Sequence, residues 1–145
     1  MIVCVDASAL VKRYVSETGS GDVNDLIVKA SVLGTAAISH VEVSSALAKA
    51  VRMRLLLRKE AASALQVFNT EWDSLIRLQM TEVLLSRAAT LAWEHGLRGY
   101  DAVHLASALF WQDMLGDPIT LATYDRQLWE AAKTTGLIAW PKSLP

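Results

Sequence analysis

A single cysteine, Cys4, stands in this chain of 145 residues, so no disulfide can form within it. In the short apolar run IVCV it reads as a small core residue, the usual role of an unpaired thiol. The lack of cross-links suits a reducing cytoplasm. Basic charge is scarce too: 14 Lys and Arg against 15 Asp and Glu leave a formal net charge of −1. Affinity spread along a polyanion calls for a more basic chain, so any nucleic-acid contact must be local. The N-terminus has no basic stretch and Asp6 interrupts its only apolar run, which argues against a signal peptide. No uncharged apolar run approaches the span of a bilayer, so no membrane partner is expected. Two phosphate-binding signatures are also missing. The segment SETGSGD lacks the Gly-Lys-Ser/Thr ending of a P-loop, and the first apolar run lacks the glycine fingerprint of dinucleotide binding. No linker, repeat or low-complexity tract divides the chain, which reads as one domain over residues 1–145.

What is present is a globular composition, 52% hydrophobic and 20% charged, in a chain long enough to bury a sizeable core. Short β-branched or apolar runs predict strands at 2–6, 35–39, 76–80, 119–124 and 137–140. Between them lie helical patterns. ASALVKRYV follows the first strand directly, and Asp22 is placed to cap a helix through NDLIVKASVL that stops at Gly34. HVEVSSALAKAVRMRLLL and RKEAASALQVFNTEWDSL form a pair with a turn near residues 56–59. TEVLLSRAATLAWEHG opens on a capping signature and ends at Gly96. LRGYDAVHLASALFW and DRQLWEAAKTTG complete the set. Strands alternating with helices predict an α/β fold: a three-layer α/β/α sandwich around a central, mostly parallel five-stranded sheet.

The helix that begins near Gly99 is apolar around most of its circumference, as in a helix packed inside a domain. Yet it opens on Asp101. Three other acids hold comparable positions: Asp6 at the end of the first strand, Glu42 in the first turn of the helix after the second, and Asp125 after the fourth. Each has an ordinary reading, Asp6 and Asp125 as helix caps, Glu42 and Asp101 as partners of a helix dipole. In a parallel sheet, however, all four fall at one edge, where open α/β sheets bind ligands. Two unit charges about 4 Å apart repel by roughly 4 kcal/mol at an effective dielectric near 20. Such a cluster therefore needs protons or a cation. Oxygen-only ligands select a hard ion, Mg²⁺ or Mn²⁺, which in turn suits phosphate chemistry.

With V-D-A-S at 5–8, S-x-x-E at 39–42, Y-D-A-V-H-L-A-S-A at 100–108 and T-Y-D-R-Q-L at 123–128, nearly the whole chain resembles a PIN domain. The narrower resemblance is to the VapC-type ribonuclease toxins of toxin–antitoxin pairs. It implies that Asp6, Glu42, Asp101 and Asp125 are the catalytic acids and metal ligands, with Ser8 and Thr123 as supporting hydroxyls. It also implies Mg²⁺- or Mn²⁺-dependent endonucleolytic cleavage of RNA, a VapB-type antitoxin, and a toxin homodimer within a heterotetramer or larger assembly. Ala7 stands where the family often has a hydroxyl residue.

Two other readings fit the same residues. A catalytically inactive PIN scaffold would bind RNA or protein only. An aspartate-dependent phosphatase would usually carry a second acid two residues after the first, where this chain has Ser8. His104, three residues after Asp101, reads first as a hydrogen-bonded core histidine and second as a ligand; His40 and His95 carry no signal. Lys49, Arg52, Arg54, Arg58 and Lys59 form a basic stretch whose default is a solvated face. Arg52 and Arg54 there, with Arg98 beside the acids, are the candidates for touching RNA phosphate. The five tryptophans read as core or interface rather than as base-stacking platforms.

Overall fold

The run IVCV forms β1 (Ile2–Val5), and a computed structural model describing all 145 residues places it at the centre of the sheet. There follow α1 (Ala7–Leu10) with a 3-10 turn at Val11–Arg13, then α2 (Ser20–Lys29), β2 (Val32–Ala36), α3 (Ser39–Arg52) and α4 (Arg58–Trp72). The second half comprises β3 (Ile76–Leu78), α5 (Glu82–His95), α6 (Gly99–Leu115), β4 (Ile119–Ala122), α7 (Arg126–Thr134) and β5 (Ile138–Trp140). The five strands pair in the order β3-β2-β1-β4-β5, all parallel. The predicted sandwich is therefore present, and its sheet is parallel throughout rather than mostly so.

Alternation along β1 assigns the two cores. Val3 and Val5 face a layer built from α1 to α4, with Leu10, Leu26, Val43, Leu47, Phe68 and Trp72 buried in it. Cys4 faces the other layer, where α5, α6 and α7 meet Ile119 and Leu121 of β4. Successive side chains of a strand point to opposite faces, so a strand covered on both sides must be apolar at every position. The same requirement explains α6: residues Ala102 to Leu109 are all buried. Of the tryptophans, Trp72, Trp111 and Trp129 are buried, whereas Trp93 is exposed. No helix is long and apolar enough to cross a membrane.

Four local expectations are corrected. The helix after β1 tightens into the 3-10 turn at Val11 instead of running to Val15. The cap of α2 is Gly19, at φ +95°, with Asp22 inside the first turn. That helix ends at Lys29, and β2 lies about three residues earlier than predicted. The reason is pairing: Val32 and Leu33 stand in register beside Ile2 and Val3. Ser31 secures the alignment, its amide and its hydroxyl both donating to the Met1 carbonyl at 2.8 Å. Gly34, expected as a helix stop, is a mid-strand residue. Its lack of a side chain has a different purpose, since a Cβ there would stand 2.7 Å from the Trp111 ring and 3.2 Å from the Ile76 carbonyl oxygen.

Gly34→Ala is accordingly expected to destabilise the fold by about 1–3 kcal/mol through overpacking against Trp111. The difference in denaturant midpoint, at unchanged slope, measures it; an unchanged midpoint would mean that the ring can move away at no cost.

Candidate active site

The chain leaves β1 toward β2 on one side and reaches β4 on the other, so the β1–β4 boundary is where the winding of the sheet reverses. Loops after neighbouring strands diverge at such a point and leave a crevice beyond the carboxyl ends. The crevice is lined by Asp6, Ala7, Ser8, Glu42, Arg98, Asp101, His104, Tyr124 and Asp125, and encloses about 270 Å³. All four predicted acids border it, although they come from four separate segments of the chain.

Asp6 follows β1 and caps α1, its Oδ1 accepting the Ala9 amide at 2.9 Å. Ser8 Oγ donates to its Oδ1 at 2.7 Å and Thr123 Oγ1 to its Oδ2 at 2.5 Å. The two hydroxyls also tie the loops together: the Tyr124 amide donates to Ser8 Oγ at 2.9 Å, and the Asp125 amide to Thr123 Oγ1 at 3.0 Å. Asp125 caps α7 in the same manner, Oδ1 accepting the Leu128 amide at 2.9 Å. Its Oδ2 accepts from Arg98 Nη2 at 2.9 Å, while Arg98 Nε donates to Asp101 Oδ2 at 3.0 Å. Glu42, in the first turn of α3, is turned to His104 of α6, with Oε1 2.6 Å from Nε2.

The PIN-domain family profile matches residues 3–134. The chain belongs to the PIN-domain family, in its VapC group. A Mycobacterium tuberculosis protein named Ribonuclease VapC45 is 36% identical over 144 residues, 99% of this chain and 97% of that one. PAE2754 from Pyrobaculum aerophilum, a crystal structure, superposes with a TM-score of 0.67 at 26% identity, covering 96% of this chain and 90% of its own. The toxin–antitoxin pair VapBC2 from Rickettsia felis, solved with a promoter DNA fragment, contains a chain sharing the fold. That likeness has a TM-score of 0.65 at 15% identity and covers 96% and 97% of the two chains.

Electrostatics give this PIN domain a cleft under stress. Burial pushes the Asp6 carboxyl above the usual carboxylate range, an effect that nearby His104 and the bonds from Thr123, Ala9 and Ser8 only reduce. Asp101 is also pushed up by burial and by Asp125, against the pull of Arg98. For His104 burial opposes charge, but the bond to Glu42 and the nearby Asp6 and Asp101 outweigh it and raise the imidazole. Cys4, buried behind Asp6, is pushed up to about 12 and is a packed thiol without nucleophilic character.

The donor set is hard and oxygen-rich, which fits Mg²⁺ or Mn²⁺ better than a softer ion. As the side chains stand, no three Asp, Glu, His or Cys groups converge to grip one ion. Glu42 is engaged by His104, and Asp101 and Asp125 by Arg98. Arg52 closes α3 and Arg54 follows it; both are exposed and neither borders the cleft. The residues that sequence reasoning undervalued are His104, first read as core, and Tyr124, which was not singled out. His104 is indeed buried, at 1% exposure, yet it faces the acids, and its Nδ1 has no hydrogen-bond partner. The available signal for His104 was spacing: it lies three residues after Asp101, near the same face of α6.

Because burial raises the Asp6 pKa, the native protein carries a cost at neutral pH that disappears below the carboxylate range of the unfolded chain. In chelator, Asp6→Asn is thus expected to melt above the wild type at pH 7, the margin shrinking as pH falls. A lower melting temperature at neutral pH would show that the hydroxyl and amide bonds outweigh desolvation.

Proposed function

We propose that this PIN domain is a metal-dependent endoribonuclease acting as the toxin of a toxin–antitoxin pair. The observation that carries the reading is the convergence of Asp6, Glu42, Asp101 and Asp125 on one crevice at the winding reversal of the sheet. Membership of the VapC group, whose relative VapC45 is named a ribonuclease, supports the choice of RNA. The four acids would hold one Mg²⁺ or Mn²⁺, directly or through water. When bound, the ion would make an attacking water more acidic and brace the scissile phosphate. Ser8 and Thr123 fix the Asp6 carboxylate by donating to it, which makes them orienting groups rather than nucleophiles. A cleft carboxylate orients the attacking water or takes its proton, and His104 anchors Glu42 for such a part. Water attacks phosphorus and the P–O3′ bond breaks, with the departing 3′-oxygen taking a proton from solvent water. The RNA 2′-hydroxyl is therefore not consumed, and the products carry 5′-phosphate and 3′-hydroxyl ends.

A cytoplasmic nuclease of this kind needs restraint, so the proposed partner is a small VapB-type antitoxin covering the cleft. The toxin would be a homodimer within a heterotetramer or larger complex. One observation favours a different reading, a PIN scaffold that binds without cutting: the acids are already engaged by Arg98 and His104.

Incubation of tRNA and rRNA with Mg²⁺ or Mn²⁺, and separately with chelator, distinguishes the two. Metal-dependent cleavage is expected, with Asp101→Asn slower by at least about a hundredfold, beyond the loss from an outer-shell ligand partner. Intact RNA under all conditions would favour the scaffold, and 2′,3′-cyclic phosphate ends would discard attack by water.

A further inference from the structure

The Arg98 guanidinium is the one full cation bordering the cleft, and its position on the lip differs from that of the groups it contacts. Its side chain is 73% exposed, whereas those of Asp101 and Asp125 are 11% and 22% exposed. Two hydrogen bonds, to Asp101 Oδ2 and Asp125 Oδ2, hold it in place. Arg98 occupies the N-cap position of α6, but its side chain makes no cap bond. Nothing else attaches the guanidinium, and exposed ion pairs are weak and readily exchanged.

The atoms it uses matter more than the strength of the contact. Oδ1 of Asp125 is committed to the Leu128 amide at the start of α7. The oxygen that Asp125 can turn to a ligand is Oδ2, which Arg98 holds, and Arg98 holds one oxygen of Asp101 as well. A divalent ion and the guanidinium would compete for these oxygens, and a shared oxygen would set two cations side by side. The ion brings twice the charge into a compact space beside Asp6, which Arg98 does not contact. A displaced guanidinium would stand at the cleft mouth with a planar fork of donors suited to a phosphate.

We propose that Arg98 is an exchangeable counter-ion: it offsets part of the charge of Asp101 and Asp125 when no metal is bound, and on arrival of a divalent cation it moves to grip the RNA backbone. This rests on the metal-dependent reading of the cleft and adds to it a reason why the acids can stay together without an ion and a route by which metal loading prepares the substrate site.

The exchange gives one residue two effects of opposite sign. Mn²⁺ binding without RNA, followed by the electron paramagnetic resonance of free Mn²⁺, is expected to be roughly three- to tenfold tighter in Arg98→Ala than in the wild type. At saturating Mn²⁺ the same variant is expected to show a KM for RNA raised by a similar factor, with Arg98→Lys between the two proteins in both measurements. Circular dichroism melts verify that each variant folds. Unchanged or weaker Mn²⁺ binding in Arg98→Ala, with the wild type binding normally, overturns the exchange and leaves the nuclease reading intact. An unchanged KM overturns the phosphate grip. Absence of Mn²⁺ binding by the wild type overturns the metal reading together with this one.

Discussion

Carboxylates gathered at one edge of a sheet repel one another, and most features of this cleft answer that repulsion. Asp6 is restrained by two hydroxyls and a helix amide, Glu42 by an imidazole, and Asp101 and Asp125 by a shared guanidinium. None of these partners removes the cost of burial, since Asp6 and Asp101 remain pushed above the ordinary carboxylate range. A fold chosen for stability alone would replace such groups by amides or apolar side chains. Their presence in one cluster is the unfavourable electrostatics expected of a functional site, and it supports the proposal that a cation relieves it.

The convergence itself is a consequence of topology. Parallel strands place every strand-to-helix junction at one edge, and helix N-termini at that edge favour acids in their first turns. The order β3-β2-β1-β4-β5 then opens a crevice between the loops after β1 and β4. Asp6 and Thr123, 117 positions apart, meet there through a hydrogen bond. The same loops carry Ser8 and Tyr124, also bonded to each other. This small network sets the distance between the two sides of the crevice.

Much of this was legible in the sequence, for identifiable reasons. The central strand was visible because a strand buried on both faces is apolar along its length, as IVCV is. The acids were visible because each stood at or just inside the start of a helix, in three cases one that follows a strand. Asp6 and Asp125 both cap a helix and border the crevice: the cap uses Oδ1, while Oδ2 accepts from Thr123 in one and from Arg98 in the other. What could not be read was long-range. The position of β2 depended on pairing with Ile2 and Val3, and the role of Gly34 on the Trp111 ring, neither of which periodicity encodes. The bond of His104 to Glu42 was hidden for a similar reason, since spacing puts His104 beside Asp101 but not against α3. Arg98 could be placed near the site by its distance from Asp101, but its bridge to Asp125 required the fold.

The central claim, that these acids form a hard-cation site, is tested most directly by locating the ion. Crystals soaked in Mn²⁺ and measured for anomalous scattering should show one strong peak within coordination distance of Asp6 and Asp101, with Arg98 displaced from their side of the cleft. A cleft without a peak at saturating Mn²⁺, with the Arg98 bridge intact, would contradict the account.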